Sequence, residues 1–215
     1  MVQAAQGIDG QLRVLAFRAL KRVGDASCVP ALLDAAVDGG DEVSQAAMES
    51  LESLQDKSVD DQVAARLSEA QGKIRLMLLD LAARRRTAAA APALWLAADD
   101  TDPAVRAAAL KALGAVAETA DLPKLIARLA VATEEQEAAA LDQALREVCL
   151  RSEDREAVTG QLAESLPAVA GAVKARILET LNAVGGTTSL EAVAAAARSS
   201  DEELCDAAFR VLGQW

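Results

Sequence analysis

The sequence predicts an all-α chain: a right-handed α-solenoid, or superhelix, of about six helix pairs followed by a final unpaired helix. Three observations predict it. Strand formers are scarce, since aromatic residues make up only 2% of the 215 and tyrosine is absent. Alanine supplies much of the 52% apolar content, which favours helix and lets helices approach closely. The third observation is a repeating register. With Leu12 as the first stripe residue, its equivalents are Val43, Ile74, Val105, Gln136, Val173 and Leu204, at steps of 31 except one of 37. A fixed period near 30 residues marks stacked helix pairs.

The repeat unit is clearest from Pro103 to Ala130. Val105, Ala109, Leu110, Leu113 and Val116 fall on one face of a helix with 3.6 residues per turn. Asp102 precedes that helix, and Pro103 sits at its start, where a missing amide proton costs nothing. Asp121 is the expected N-cap of the second helix, with Pro123 just inside it. Leu122, Leu125, Ile126 and Leu129 make the second apolar stripe. Neither helix buries much surface alone, so neighbouring pairs must stack.

The other units follow the same register. Eight positions after the first stripe residue stand Leu20, Leu51, Leu113, Leu181 and Leu212, with Ala82 and Ala144 in the remaining units. Eleven positions after it stand Val23, Leu54, Val116, Val184 and Trp215, while Arg85 and Glu147 break the pattern. Pro30, Pro92 and Pro123 share one place at the start of the second helix. The units run near 11–40, 41–71, 72–101, 102–133, 134–170 and 171–200, with a half unit at 201–215. The whole, 1–215, reads as a single repeat domain. Trp95 matches Leu33 and Ile126 and is expected in the core. Trp215 stands where Val23 and Val116 are expected to pack under a following helix. Solenoids need capping units, so a segment of a longer protein is expected.

Two units depart from the pattern. The fifth carries six extra residues around Cys149–Glu156, expected as an acidic loop that is either solvated or a partner contact. The third carries Arg84, Arg85 and Arg86 at its helix-to-helix turn. There they either offset helix C-terminal carbonyls or form a docking spot for phosphate or an acidic peptide.

The phrases DPAVRAAALKALGAVA and LPKLIARL resemble HEAT repeats, particularly the short bacterial kind found in phycobilin lyases. The resemblance spans residues 11–215 and implies ladders between an Asp before the first helix and a basic residue just inside it. Asp102 with Arg106 matches that pattern. Arg13, Arg75 and Lys174 match only its basic position, Asp41 and Asp201 only its acidic one, and Ser44, Glu137 and Cys205 depart from it. The resemblance also implies that the second helices line an inner, concave face. Exposed positions there include Arg66, Lys124 and Arg128, among many alanines. An acidic or extended protein segment is the expected partner, with Arg84, Arg85 and Arg86 as further candidate contacts. The alternatives are an enzyme-associated subunit resembling the bilin lyases, or a structural spacer.

Composition excludes several activities. The chain has no histidine, so Ser–His and Cys–His nucleophiles and histidine-ligated metals are impossible. The glycine pairs Gly39-Gly40 and Gly185-Gly186 are isolated turns and make no phosphate loop. A net charge of −11 opposes binding to nucleic acid, which needs a basic face. Cys28, Cys149 and Cys205 lack metal-ligand spacing and read as free thiols. No apolar run reaches membrane-span length. The opening MVQAAQGIDG lacks a signal-peptide pattern, which together with the thiols favours a cytoplasmic setting. No catalytic residue, cofactor or metal site is expected.

Overall fold

The computed structural model describes residues 10–38 and 40–215, so Gly39 and the opening segment lie outside the described residues. Within that span there are thirteen α-helices and no strand. They are α1 (Gly10–Val23), α2 (Val29–Asp38), α3 (Asp41–Ser53), α4 (Lys57–Glu69), α5 (Gly72–Arg85), α6 (Ala91–Ala97) and α7 (Pro103–Val116). After them come α8 (Leu122–Val131), α9 (Glu135–Arg151), α10 (Arg155–Ser165), α11 (Gly171–Val184), α12 (Gly186–Ala196) and α13 (Glu202–Leu212). The first twelve form six successive pairs and α13 stands last, the all-α solenoid plan. The chain divides into two compact units, Met1–Ala112 and Leu113–Trp215, with the boundary inside α7.

The periodic positions form the cores of both units. In the first, Leu20, Leu51 and Ala82 are buried, and so are Leu33 and Trp95 of the second helices. In the second, Leu113, Ala144 and Leu181 are buried, together with Leu122, Leu125, Ile126 and Leu129 of α8. Fully burying a leucine is worth roughly 1.5–3 kcal/mol, so these rows dominate stability. Val23 departs from expectation: it is 68% exposed instead of packed. Trp215, in the matching place, is 45% exposed.

The turns inside the first two pairs share a construction. Asp25 Oδ1 accepts from the Ser27 N–H at 2.9 Å, and Asp56 Oδ1 accepts from the Ser58 N–H at 2.9 Å. Both carboxyls are held below their ordinary value, chiefly by the serine hydroxyls and then by those amides. Single turns of 3-10 helix at 26–28, 88–90 and 119–121 lead into the proline-bearing helices α2, α6 and α8. Asp121 acts differently from expectation. Its carboxylate accepts from the Glu118 N–H at 3.1 Å, within a capping box around the 3-10 turn, and makes no side-chain cap on α8.

The position next to the first stripe residue makes polar ties at the junctions between repeats, and several residue types serve there. In the first unit Arg75 pairs with Asp100, and Arg106 Nη1 donates to the carbonyls of Asp100 and Thr101 at 3.2 Å each. Ser44 Oγ, at the same place, donates to the Ala36 carbonyl at 2.6 Å. In the second unit Lys174 pairs with Asp201, Cys205 Sγ donates to the Ala197 carbonyl at 3.2 Å, and Glu137 accepts from Arg128. The residues that break the sequence ladder therefore keep its mechanical role. Arg13 Nε, like Arg75 Nε, is buried without a hydrogen-bond partner.

The extra residues of the fifth repeat do not form a protruding loop. They lengthen α9 to 17 residues and leave only Ser152–Asp154 before α10. Val148 and Cys149 are buried, and Arg151 Nη1 donates to the Gly114 carbonyl at 2.5 Å while Nη2 donates to that of Ala117. A helix needs about four residues per added turn, so the insertion extends the register and the new end anchors on α7. Gly114 permits the close approach, because a Cβ there would lie 3.1 Å from Ala144 Cα.

Candidate functional site

Of the six cations expected at a partner surface, the structure separates structural from available ones. Arg85, at the end of α5, has a side chain only 6% exposed. Its Nη1 donates to the carbonyls of Leu51 and Leu54 at 2.6 and 2.8 Å and its Nε to Asp60 Oδ1 at 2.8 Å. The guanidinium thus neutralises the C-terminal end of the neighbouring α3, where the helix dipole favours a cation. It cannot reach a docked ligand, which corrects the expectation that placed it among the partner contacts. Arg84 is bound to Asp80 at 2.8 Å and lies 3.7 Å from Glu52. Arg86 is exposed and takes a left-handed conformation, φ 53° and ψ 49°, at the C-cap of α5.

Arg128, on α8, is also engaged, with Nη2 3.0 Å from Glu137 Oε1 and both side chains 19% exposed. Lys124, one turn earlier on α8, is exposed. Both belong to the second unit.

Arg66 belongs to the first unit and is exposed near the end of α4. It lines a groove of about 330 Å³ together with residues of α2 and α5. Leu33, Val37, Ile74 and Leu78 supply the apolar lining; Asp34, Arg66 and Glu69 supply the charge. Leu33 and Leu78 are buried, while Ile74 is 42% exposed and offers the groove an uncovered apolar surface. Ile74 holds the first stripe position of its repeat, where Val43 is buried. Sequence reasoning found Arg66 but missed this lining, although an aliphatic stripe residue left open is what creates the groove. The site combines apolar contact with two carboxylates and one cation. It holds no nucleophile–base pair.

Among the described residues there is no group of three or more His, Cys, Asp or Glu placed to hold a metal, and no helix long and apolar enough to cross a membrane. Cys28, Cys149 and Cys205 are unpaired thiols, the first two buried.

No protein-family model matches the sequence, and no curated protein matches it. Solved structures are similar in fold. One is the complex of CpcE and CpcF of phycocyanin lyase from Nostoc sp. PCC7120, at 22% identity and TM-score 0.47, covering 98% of this chain and 85% of that one. Another is a designed armadillo repeat protein, at 16% identity and TM-score 0.33, covering 99% of this chain and 97% of that one. The helix pairs, the 31-residue register and the ties between successive repeats are those of a HEAT- or armadillo-like repeat architecture.

Proposed function

We propose that the chain is a non-catalytic scaffold that takes an extended or helical protein segment on its second-helix surface, with the α2–α4–α5 groove as the anchoring point. The groove carries this reading: an open apolar Ile74 beside exposed Arg66, Asp34 and Glu69. Peptide recognition of this kind pairs one buried apolar anchor with flanking charges that set register. The ligand has an aliphatic or aromatic anchor and a neighbouring basic residue facing Asp34 and Glu69. Arg86, after α5 in the same unit, is a secondary contact.

The test is selection from a displayed peptide library against the immobilised chain, followed by calorimetric titration of the enriched peptides. The variants are Ile74→Asp and Arg66→Glu, both at exposed positions. The reading expects enrichment of one motif and at least a tenfold affinity loss with Ile74→Asp. No enriched motif, or motifs indifferent to both variants, would sink it. A visible absorption band shifted by an added tetrapyrrole, with no peptide selected, would favour the enzyme-associated alternative.

A further inference from the structure

The first and last helices each leave apolar side chains uncovered, and the two helices carry opposite charge; Leu15 and Arg18 also border a groove against α3, and Asp206 one against α11. On α1, Leu12, Leu15 and Val23 are 52%, 59% and 68% exposed. Their spacing, with Ala19 between them, places all four on one helical face, opposite the buried Val14, Phe17 and Leu20. Arg18 and Arg22 run beside Leu15 at i+3 and i+7, and α1 contains no acidic residue. In a chain of net charge −11, this helix is a local inversion of sign.

On α13, Phe209 is 61% exposed. It occupies the register position of Phe17, Met48, Leu79, Leu110, Leu141 and Leu178, of which all but the part-buried Met48 are between 0% and 1% exposed. Most of those equivalents are where the repeats seal themselves, so among the described residues Phe209 presents a sealing position left uncovered. Cys205 and Leu212 share its face, and Glu202 and Asp206 flank it at i−7 and i−3. First helices already lie side by side within each unit, α1 on α3 and α11 on α13.

We propose that the α13 face of one molecule takes the α1 face of a second copy, so that the chain associates head to tail. Phe209 and Leu212 pack against Leu12, Leu15 and Val23, while Glu202 and Asp206 face Arg18 and Arg22. The contact repeats the side-by-side packing of first helices and is heterologous, so it propagates or closes as a ring rather than stopping at a symmetric dimer. Opposed charge gives the two ends their polarity, since like ends repel.

Sedimentation velocity on the full chain tests this, between about 1 and 100 µM at low and moderate salt. The expected result is a weight-average mass that rises with concentration and falls with added salt. Two doubly reversed variants, Arg18→Glu with Arg22→Glu, and Glu202→Lys with Asp206→Lys, are each expected to be monomeric when alone. Mixed, they are expected to associate again in alternation, because the acidic α13 of the first meets the basic α1 of the second and the reversed α13 of the second meets the reversed α1 of the first. Phe209→Ser, with an unchanged melting curve, should weaken association at least tenfold. A wild type that stays monomeric throughout overturns the proposal. So does a mixture that fails to associate, or reversed variants that associate like the wild type.

Discussion

Arg85 and Asp60 meet at 2.8 Å beneath the turn between α5 and α6, and the same guanidinium holds the last carbonyls of α3. One side chain therefore serves two repeats. Arg85→Ala strands the carbonyls of Leu51 and Leu54 and leaves Asp60 partly buried without its cation. We expect a loss of about 2–3 kcal/mol, read as a lower urea midpoint. Arg85→Lys should recover only part, because an ammonium cannot span the fork that reaches carbonyls and carboxylate together.

Arg86, the next residue, has a left-handed backbone that costs a non-glycine residue about 1 kcal/mol. Helices commonly end there on glycine. Arg86→Gly should therefore raise stability by roughly 0.5–1 kcal/mol, measured by the same denaturation. An unchanged or lower midpoint would show that the Arg86 side chain contributes a contact worth more than the strain.

These neighbouring arginines show how far the sequence could be read. The repeat period, the paired helices and the core rows were legible because each depends on apolar residues at fixed local spacing. The fate of Arg84, Arg85 and Arg86 was not, because it depends on a neighbouring repeat's carbonyls and on Asp60. Ser44, Glu137 and Cys205 looked like breaks in a ladder, yet hydroxyl, carboxylate and thiol all tie successive repeats together. The Asp25-x-Ser27 and Asp56-x-Ser58 pairs, 31 residues apart, were readable signals of the turn chemistry. The groove beside Arg66 was hidden, since a stripe residue such as Ile74 announces burial whether or not a neighbour covers it.

Between α10 and α12, Thr159 Oγ1 and Ser189 Oγ lie 2.9 Å apart, with both residues essentially buried. Removing one hydroxyl leaves the other without its cross-helix partner. Thr159→Val or Ser189→Ala alone should each cost about 1–2 kcal/mol, and the double variant clearly less than their sum. Additive losses in a double-mutant cycle would mean that each hydroxyl is satisfied by its own helix.

The cysteines should differ sharply toward a thiol reagent. Burial pushes the Cys149 thiol up to about 12, which removes the thiolate that reacts. Cys205 is only part-buried on α13. At neutral pH the native chain should release colour rapidly from Cys205 and scarcely at all from Cys149, whose modification waits for unfolding. Cys205→Ser should abolish the rapid phase. Persistence of that phase would move the accessible thiol to Cys28 or Cys149.

Acid should act on two carboxylates of the second unit in opposite directions. The Asp201 carboxyl is held below its ordinary value of 3.8, first by the Lys174 hydrogen bond and then by the Leu204 amide. A depressed carboxyl contributes stability above its unfolded value and loses it as pH falls through the folded one. Asp142 is shifted upward, chiefly by burial, although Arg146 and Arg176 each lie 3.6 Å away. Its charged form is a cost at neutral pH, relieved as acid protonates it. The stability gap between wild type and Asp201→Asn should therefore be widest near neutrality and close as pH falls below 3.8. Relative to Asp142→Asn, the wild type should instead gain as the pH is lowered from neutrality. Denaturant titrations of the three chains across that range decide it. Parallel curves would mean that neither carboxyl changes its proton affinity on folding.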